Sequence, residues 1–449
     1  MGADCQQVGI IMTSANIRIG FISLGCPKNL VDSENIITLL MESGYEVSDT
    51  YEGADAVVIN TCGFIESSVT ESMEVIGEAL QKCDRIVVTG CLGPRRDFIL
   101  EHYPQVKAVS GPHSPKQVLH DINQLFPEHR ACSRFKVPEG GILLTPSHYA
   151  YLKISEGCSH RCSFCVIPQI RGDLDSFSPE AVLRQAEAYV KRGVKELLVV
   201  AQDTSAYGMD KKYPGFRNYD RGDLYALTRE IGKLGVWQRV HYAYPYPHVE
   251  KLVEQMAEGL VLPYMDVPLQ HVNKRILGLM KRPGSHEKNL ETINRWRSIC
   301  PELTIRSTFI VGFPGETEEE FTELLDFIKE ARLNRVGCFT YSNILNAAAN
   351  ELPGQIPEEV KQERYDCFMT LQQQISTELL AAKIGSDADV IVDEVSEQGI
   401  VGRTKGDAPD IDGVIFLHQK DDFSPVAVGD IVKARVTASD EYDLEGDII

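Results

Sequence analysis

Three cysteines in the middle of the chain have a spacing that suits iron binding better than packing. The segment Cys158-Ser-His-Arg-Cys162-Ser-Phe-Cys165 places three thiols at positions i, i+4 and i+7. Three thiolates on one loop can hold three irons of a [4Fe–4S] cluster, which leaves the fourth iron open to another ligand. A tetrahedral zinc site with His160 as its fourth ligand is an alternative for the same residues. Three unrelated buried cysteines fit this spacing poorly.

Three further cysteines share a position relative to the predicted strands rather than a short spacing. Each directly follows a buried strand rich in Val and Ile: Cys26 after Ile17–Leu24, Cys62 after Ala56–Asn60 and Cys91 after Arg85–Thr89. The carboxyl ends of parallel strands meet at one edge of a sheet, where open α/β sheets place their ligands. Gly25, Gly63 and Gly90 beside these thiols permit close backbone approach. The pattern predicts a second cluster, with three inert buried cysteines as the alternative.

The remaining cysteines and the N-terminus indicate the compartment. No signal peptide is predicted, because the N-terminus lacks a basic region and its apolar stretch, Val8–Met12, is short. We therefore expect a cytoplasmic protein, whose cysteines stay reduced rather than forming disulfides. Six cysteines follow no shared pattern and are expected to pack in the core or on the surface: Cys5, Cys83, Cys132, Cys300, Cys338 and Cys367.

The strand-end cysteines lie in a first region, residues 17–130, that alternates strands with helical patterns. This alternation predicts a doubly wound parallel α/β domain. Helices are predicted over Ser33–Ser43, with Asp32 as the cap, and over Ser67–Gln81. Two segments without periodicity flank the region: a disordered tail, 1–16, and a linker, 131–145.

Two more regions follow the linker. Residues 146–381 predict a partial (βα)6 barrel, two strands short of the full eight, with the Cys158–Cys165 loop at the carboxyl end of its first strand. Its six predicted strands are Tyr149–Ile154, Lys195–Ala201, Arg239–Tyr244, Tyr264–Val267, Thr304–Val311 and Arg335–Tyr341. Residues 384–449 predict a small antiparallel β-barrel, because short strands alternate with Asp, Gly and Pro turns. The strands predicted there are Val390–Glu394, Gly413–Leu417 and Ile431–Ala438.

The charge of the chain restricts its partners. The 449 residues include 45 Lys and Arg against 65 Asp and Glu, a net charge of −20. Such a charge disfavours indiscriminate binding to phosphate backbones and favours a basic partner. Residues Ser386–Ile449 hold 16 acidic and 5 basic residues, so this region alone carries −11. An apolar fraction of 43%, without any apolar run of about 20 residues, excludes disordered and membrane-spanning classes.

Taken together, these motifs resemble the radical S-adenosylmethionine (SAM) methylthiotransferases, which combine an N-terminal cluster domain, a radical SAM barrel and a TRAM domain. The resemblance runs from about residue 17 to the C-terminus and is closest to the RimO branch, which modifies ribosomal protein S-twelve. SLGCPKN and DAPDIDG favour that branch over the tRNA-modifying one. The stretches that carry it are SLGCPKNLVDSE, NTCGFIESS, TGCLG, YLKISEGCSHRCSFC, VAQDTSAYG, YPYPH, MKRPGS, STFIVGFPGETEEEF and DAPDIDG.

The resemblance implies two [4Fe–4S] clusters and SAM as cofactors. Cys158, Cys162 and Cys165 would hold the radical-generating cluster. The auxiliary cluster, whose open iron carries the sulfur to be transferred, would be held by the strand-end cysteines Cys26, Cys62 and Cys91. In such enzymes one SAM methylates that sulfur and a second generates the radical, so that the β C–H of an aspartate becomes C–S–CH3. The resemblance further implies an external electron donor, no nucleic acid substrate, no membrane and a monomeric enzyme.

Five residues are candidates for contacting SAM. Gln202, Asp203 and Thr204 end a barrel strand and could bind the ribose or amino group of SAM, or merely cap a turn. Gly312, before a predicted helix capped near Thr317, could line the same pocket or form a simple turn. Arg306 could orient a carboxylate through paired hydrogen bonds, although surface and helix-end arginines are more common. The histidines His241, His248 and His271, by contrast, are expected to be structural.

Two other functions compete with this interpretation. A tRNA adenosine methylthiotransferase would use the same clusters, but its RNA-binding domain should be basic. The acidic residues 384–449 favour a basic ribosomal protein, unless they merely keep a small barrel soluble. A non-catalytic iron–sulfur electron carrier would need neither an open iron nor a barrel. The segment Tyr341–Asn350 departs from the family, which usually has Tyr-Ser-Pro and a Gly-containing turn there, so a different loop geometry is expected near the mouth of the barrel.

Overall fold

A computed structural model describes residues 17–129, 136–419 and 425–449. The predicted tail of residues 1–16 lies outside these described residues, as do Cys5, Cys132 and the first part of the predicted linker. The first part of the chain forms a parallel five-stranded sheet in the order β2-β1-β3-β4-β5. Its elements are β1 (Arg18–Ser23), α1 (Pro27–Glu42), β2 (Glu46–Ser48), β3 (Ala56–Thr61), α2 (Glu66–Lys82), β4 (Ile86–Gly90), α3 (Arg96–His102), β5 (Ala108–Val109) and α4 (Pro115–Leu125). Strand β3 is buried along its whole length, as expected of a parallel strand covered on both faces.

Helix α1 begins six residues earlier than the sequence pattern predicts. The prediction that Asp32 caps it is wrong, because Cys26 occupies the N-cap position and Pro27 the first helical position. Proline is favoured there because its missing N–H has no helical partner in any case. Asp32 instead lies within the helix and is buried. The early start places the N-terminus of α1 directly beside a candidate cluster ligand.

The middle of the chain forms the predicted partial barrel, a six-stranded parallel sheet in the order β15-β14-β13-β12-β9-β6. Its strands are β6 (Tyr149–Lys153), β9 (Glu196–Val200), β12 (Trp237–Val240), β13 (Tyr264–Asp266), β14 (Thr304–Val311) and β15 (Arg335–Thr340). Two short ribbons accompany it, β7 (Ser155–Glu156) with β8 (Asp175–Ser176), and β10 (Pro214–Phe216) with β11 (Tyr219–Arg221). The helices are α5 (Ile167–Arg171), α6 (Pro179–Lys191), α7 (Leu224–Gly232), α8 (Glu250–Ala257), α9 (Lys274–Leu279), α10 (His286–Ile299), α11 (Glu318–Ala331) and α12 (Glu358–Ala381). None of the helices in the described ranges is long and apolar enough to cross a membrane.

The C-terminal residues form a closed five-stranded barrel in the order β16-β17-β18-β20-β19. Its strands are β16 (Asp387–Ser396), β17 (Gly399–Thr404), β18 (Ile415–His418), β19 (Ile431–Ser439) and β20 (Leu444–Ile448). The predicted small barrel is confirmed, with one difference, since β18 and β20 pair in parallel. The sequence analysis missed β17 and β20 because glycines and charged residues interrupt their apolar alternation.

The C-terminal barrel packs against the starting ends of the central strands. Arg403 on β17 pairs with Glu196, the first residue of β9, at 2.7 Å. Asp407 pairs with Arg335, the first residue of β15. Asp412 accepts a hydrogen bond from the Tyr264 hydroxyl at the start of β13. We call this row of contacts the barrel seam, and it lies at the end of the central barrel opposite the cysteine loop.

The described part of the predicted linker packs along α1. Glu34 is buried, and its Oε1 accepts a hydrogen bond from the Leu144 amide at 2.8 Å. The other carboxyl oxygen, Oε2, is buried without a hydrogen-bond partner among the described residues. Burial raises the pKa of Glu34 from 4.5 to about 7. A protonated carboxyl therefore suits this contact better than an ionised one.

Glu34→Gln should remove a pH-dependent loss of stability. Because the pKa is raised in the folded protein, the contribution of wild-type Glu34 is fully present below about pH 4.5 and is lost as the pH rises through about 7. At pH 8 the variant should be more stable than the wild type by about 2–3 kcal/mol. Thermal unfolding at pH 6 and pH 8 measures this, with the exposed Glu42→Gln as control. Equal pH dependence in wild type and Glu34→Gln would contradict the prediction.

Candidate functional site

Cys26, Cys62 and Cys91, which we call the strand-end thiols, lie at one edge of the N-terminal sheet. They follow three neighbouring parallel strands, β1, β3 and β4. A Cβ added to Gly25, whose φ is +94°, would meet the Cys62 sulfur at 3.2 Å, so the loops of Cys26 and Cys62 approach closely. The Cys91 thiol interacts electrostatically with those of Cys26 and Cys62. The structure thus brings together three cysteines that lie far apart in sequence.

Positive charge surrounds the strand-end thiols. Burial opposes ionisation of Cys26, but Lys28, the first amides of α1 and Arg171 outweigh it and lower the Cys26 pKa. Burial raises the pKa of Cys91 to about 11, although Arg171 donates a hydrogen bond to the Cys91 sulfur over 3.2 Å. Thiolates are the forms that bind iron, so the nearby cations favour ligation.

Cys158, Cys162 and Cys165, the loop thiols, lie between β7 and α5. The loop folds back on itself, with the Cys165 amide donating a hydrogen bond to the Cys162 carbonyl at 3.1 Å. Burial raises the pKa of Cys158 to about 11 and that of Cys165 to about 12, and both interact electrostatically with Cys162. Arg282 lies 3.8 Å from the Cys162 sulfur. Like the strand-end thiols, the loop thiols therefore form one group beside an arginine.

His160 is held by protein partners at its Nε2 atom. Its Nε2 lies 3.0 Å from Asp203 Oδ2 and 2.8 Å from the Tyr246 hydroxyl. Its ring stacks on Tyr244 with centroids 3.8 Å apart. The side chain thus links the cysteine loop to the ends of barrel strands. Binding of zinc through Nε2 would require these contacts to break.

A buried ion network joins the two groups of thiols. Asp32 on α1 pairs with Lys153 on β6 and, at 3.0 Å, with Arg171 on α5. Glu156 on β7 pairs with the same two cations at 2.7 and 2.8 Å. Burial alone would raise the pKa of Asp32, but Lys153 and Arg171 hold it well below its usual range. Because α5 begins just after the loop thiols and Arg171 contacts a strand-end thiol, this network fixes one group relative to the other. No sequence motif indicated it.

The three strand-end polar residues after β9 have different surroundings. The Gln202 amide donates a hydrogen bond to Glu156 at 3.1 Å, while its Oε1 is buried without a hydrogen-bond partner among the described residues. Asp203 accepts hydrogen bonds from Ser205 and the Ala206 amide, as a turn cap does, and also holds His160. The Thr204 hydroxyl donates to the His241 carbonyl at 2.7 Å. Only Gln202 of the three leaves an unused polar atom.

Arg306 and Gly312 already have protein partners. Arg306 lies 3.2 Å from Asp266 and 3.5 Å from Asp412, a residue of the barrel seam. Gly312 has a φ of +69°, and its amide donates to Glu316 at 2.6 Å. A Cβ on Gly312 would meet Lys361 at 2.4 Å, so this glycine is required for close packing. Both residues contribute to the architecture around the barrel, whatever contact they make with SAM.

The three histidines expected to be structural have partners of that kind. His241 lies 3.1 Å from Asp266, and His271 lies 3.0 Å from Glu316. His248 lies 3.3 Å from the Ser205 carbonyl.

The atypical segment Tyr341–Asn350 supports the cysteine loop. The Ala349 amide donates a hydrogen bond to the Ser163 carbonyl, between two of the loop thiols, at 2.8 Å. Ala349 is fully buried in a small apolar cluster that Phe164 packs against. The Tyr341 hydroxyl donates to the Asn350 side chain at 2.8 Å, which closes the segment on itself. The segment therefore supports the cysteine loop without the proline and glycine that the family resemblance led us to expect there.

Lys28 is a residue whose role the sequence analysis did not identify. Its Nζ lies 3.5 Å from the centroid of the Tyr242 ring, which follows β12 at the open end of the barrel. Burial alone would lower the Lys28 pKa, but Tyr242 and Cys26 outweigh it and raise that pKa. A positive charge thus lies between the N-terminal sheet and the barrel.

Comparison with known proteins agrees with these observations. Residues 18–111 match the uncharacterized protein family UPF0004, residues 152–328 the Radical SAM superfamily and residues 384–449 the TRAM domain. The chain is similar in fold to solved structures of the radical S-adenosylmethionine methyltransferase TsrM from Kitasatospora setae. One, with cobalamin and a [4Fe-4S] cluster bound, has a TM-score of 0.53 at 14% identity, covering 73% of this chain and 75% of that one. A second, with tryptophan substrate and a SAM analogue, has the same TM-score at 15% identity, covering 72% and 73%.

Curated relatives are much closer in sequence. The ribosomal protein uS12 methylthiotransferase RimO of Proteus mirabilis is 57% identical over 439 residues, which cover 96% of this chain and 98% of the relative. The protein of the same name from Cronobacter sakazakii is 56% identical over 436 residues, with the same coverage of each chain. The resemblance inferred from the motifs is confirmed over nearly the whole chain. The chain belongs to the RimO family of methylthiotransferases.

Proposed function

We propose that this chain is a radical SAM enzyme that adds a methylthio group to the β-carbon of an aspartate in ribosomal protein uS12. The observation that carries the proposal is the 57% identity over 96% of the chain to a relative named for this activity. Two [4Fe–4S] clusters and SAM, when bound, supply the sulfur, the methyl group and a radical able to abstract hydrogen from an unactivated C–H bond. Side chains alone cannot supply such reactivity, so the protein contributes binding, orientation and exclusion of water.

The residues present fit this set of cofactors. The strand-end thiols would hold the auxiliary cluster and the loop thiols the radical-generating one. Each group consists of three free, at least partly buried thiols, and each has an arginine near a sulfur. Three protein ligands leave one iron of each cluster open. The ion network around Arg171 would keep the two clusters at a fixed separation.

Among the five candidates for contacting SAM, Gln202 is the one we favour. Its buried Oε1 has no hydrogen-bond partner among the described residues, and such an orphan acceptor is costly unless a ligand satisfies it. Asp203 would act through His160, by positioning the cysteine loop. Thr204, Arg306 and Gly312 would shape the walls around the site.

We further propose that the C-terminal barrel binds the basic substrate protein. A cross-strand row of side chains runs over four of its strands, with Val401 half-buried and the others exposed: Glu394, Val401, Phe416 and Glu445. Phe416 is 44% exposed and lies beside Val401, so the two form a small apolar patch. An apolar centre flanked by carboxylates suits a protein rich in Lys and Arg. We infer a cytoplasmic location from the proposed ribosomal substrate. The proposed domains, 17–130, 146–381 and 384–449, each contain one of the three larger sheets.

The test of the function uses cells with and without the gene and mass spectrometry of ribosomal proteins and tRNA nucleosides. A methylthio group on an aspartate of uS12 that depends on the gene is the expected result. A tRNA methylthioadenosine that depends on the gene, with uS12 unchanged, would assign the chain to RNA modification. Complementation with Cys91→Ala and Cys162→Ala should restore neither modification.

The cross-strand row of the C-terminal barrel is tested with purified enzyme and uS12, with the methylthio group again detected by mass spectrometry. Glu394→Lys together with Glu445→Lys should lower kcat/KM for uS12 at least about 10-fold at low salt, with a smaller effect at high salt. Cleavage of SAM without uS12 should not change. The control is the exposed pair Glu74 and Glu78 on α2, replaced in the same way. A loss of the same size in the control would show that net charge, rather than this surface, matters.

A further inference from the structure

The ammonium group of Lys28 has surroundings that differ from those of the neighbouring cations. Lys153 and Arg171 each pair with both Asp32 and Glu156. Arg282, on the other side of the site, donates to the Pro268 carbonyl at 2.6 Å. Lys28 has no carboxylate within ion-pairing distance among the described residues, and its contacts are with the ring and the side-chain hydroxyl of Tyr242. It thus keeps N–H donors available for an anion.

The backbone that carries the aromatic ring beneath Lys28 is held in a strained conformation. Tyr242 adopts a φ of +61°, a left-handed conformation that is unfavourable for a residue with a side chain. Its amide donates to Asp266 at 3.2 Å, and its carbonyl accepts from the Thr204 amide at 3.2 Å. Strain maintained in this way is typical of functional sites. The ring therefore defines where the Lys28 side chain rests.

The surroundings would strengthen an ionic contact. Tyr242 packs against an apolar cluster that joins α1 to the inner face of the barrel: Val31, Tyr149, Tyr151, Leu198 and Val200. Charge–charge hydrogen bonds are stronger beside such apolar groups than in water. Lys28 also lies two residues after Cys26, a strand-end thiol. The Lys28 ammonium group is thus close both to the strand-end thiols, which would hold the auxiliary cluster, and to the open end of the central barrel.

We propose that Lys28 binds the side-chain carboxylate of the aspartate that is modified. This inference rests on the proposed function, in which the β-carbon of aspartate is the reacting atom. The carboxylate carbon is bonded directly to that β-carbon, so a group that holds the carboxylate also positions the reacting C–H. Lys28 would then select aspartate over asparagine as well as orient it.

The test compares two forms of intact uS12, one with the target aspartate and one with asparagine in its place. Wild-type enzyme should modify the aspartate form about 100-fold more efficiently in kcat/KM, because the asparagine form forfeits the charged contact. Lys28→Met, of similar length, should lower kcat/KM for the aspartate form about 100-fold and reduce the preference to within about 3-fold. Lys28→Arg should retain a preference, and the exposed Lys107→Met should behave as wild type.

Two readouts separate substrate binding from damage to the cluster site. Iron and sulfide content, and S-adenosylhomocysteine formed without uS12, should be the same in Lys28→Met as in wild type. A variant with intact clusters that keeps the full preference for aspartate would overturn the proposal, and so would a variant that no longer holds its iron. If wild-type enzyme modifies neither form of uS12, the proposed function itself is wrong and this inference fails with it.

Discussion

Replacing Arg171 with methionine should lower the free energy of unfolding by about 3–5 kcal/mol, because it leaves two buried carboxylates with one cation between them. Asp32 and Glu156 would then share Lys153 and the half-exposed ring of His113, whose Nδ1 lies 3.4 Å from Asp32 and 3.7 Å from Glu156. The Arg171 side chain is 2% exposed, so water cannot replace it. The thermal unfolding midpoint of the cluster-loaded protein should fall by about 3–5 °C.

A second effect of the same substitution concerns the auxiliary cluster. Arg171 donates a hydrogen bond to the Cys91 sulfur, and such bonds stabilise the more negative, reduced state of a cluster. The reduction potential in Arg171→Met, followed by electron paramagnetic resonance, should therefore shift to more negative values. Arg161, on the cysteine loop that precedes α5, is the matched control, because its pair with Asp173 is exposed. Arg161→Met should change the free energy of unfolding by less than about 1 kcal/mol and leave the reduction potential of the auxiliary cluster unaltered. A thermal unfolding midpoint in Arg171→Met equal to that of the wild type would refute this account of the ion network.

Replacing Arg403 with methionine should loosen the barrel seam. Arg403 is buried and pairs with Glu196 at 2.7 Å and with Asp393 at 2.8 Å. Glu196 would keep only Arg239, at 2.8 Å, inside a fully buried site. Breaking one partner of a buried pair costs about 3–5 kcal/mol. The C-terminal barrel should consequently detach at lower temperature than the rest of the chain unfolds.

Limited proteolysis measures this loosening. Cleavage in the connection between α12 and β16, residues 382–386, should be clearly faster in Arg403→Met than in wild type, because local opening exposes it. Arg435→Met is the control, since Arg435 makes an exposed pair with Asp387 in the same barrel. Unchanged cleavage in Arg403→Met, or equal acceleration in Arg435→Met, would show that the seam does not depend on this arginine. Modification of uS12 should decline with the loosening, whereas SAM cleavage without uS12 should not.

The convergence of Cys26, Cys62 and Cys91 could be predicted because a local rule governs it. A residue that directly follows a parallel strand lies at a known edge of the sheet, whatever its distance along the chain. The partial barrel was predictable for a similar reason, since its strands are short apolar runs separated by helices. The cluster-ligating roles of the cysteines remain proposals, supported by this convergence.

The ion network and the barrel seam could not be predicted, because no local rule pairs their residues. Asp32, Lys153, Glu156 and Arg171 lie on four different elements, and each is unremarkable in its own sequence context. The predicted capping role of Asp32 was wrong because α1 begins at Pro27, and two ion partners of Asp32, Lys153 and Arg171, lie more than a hundred residues away. The prediction that Arg306 contacts SAM also did not anticipate its pairing with Asp412.

The barrel seam has a consequence for how the protein is made. Glu196 and Arg335 leave the ribosome well before their partners Arg403 and Asp407, because synthesis proceeds from the N-terminus. In the nascent chain the starting ends of the central strands therefore carry charged groups whose partners in the C-terminal barrel are not yet made. Glu196 can pair with Arg239 of the central barrel in the meantime, whereas the ion pair of Arg335 forms only once Asp407 has been made. The central barrel can therefore complete its buried ion pairs only after the C-terminal barrel has been synthesised. The C-terminal barrel contributes none of the candidate cluster ligands, yet folding of the barrel that carries the loop thiols depends on it.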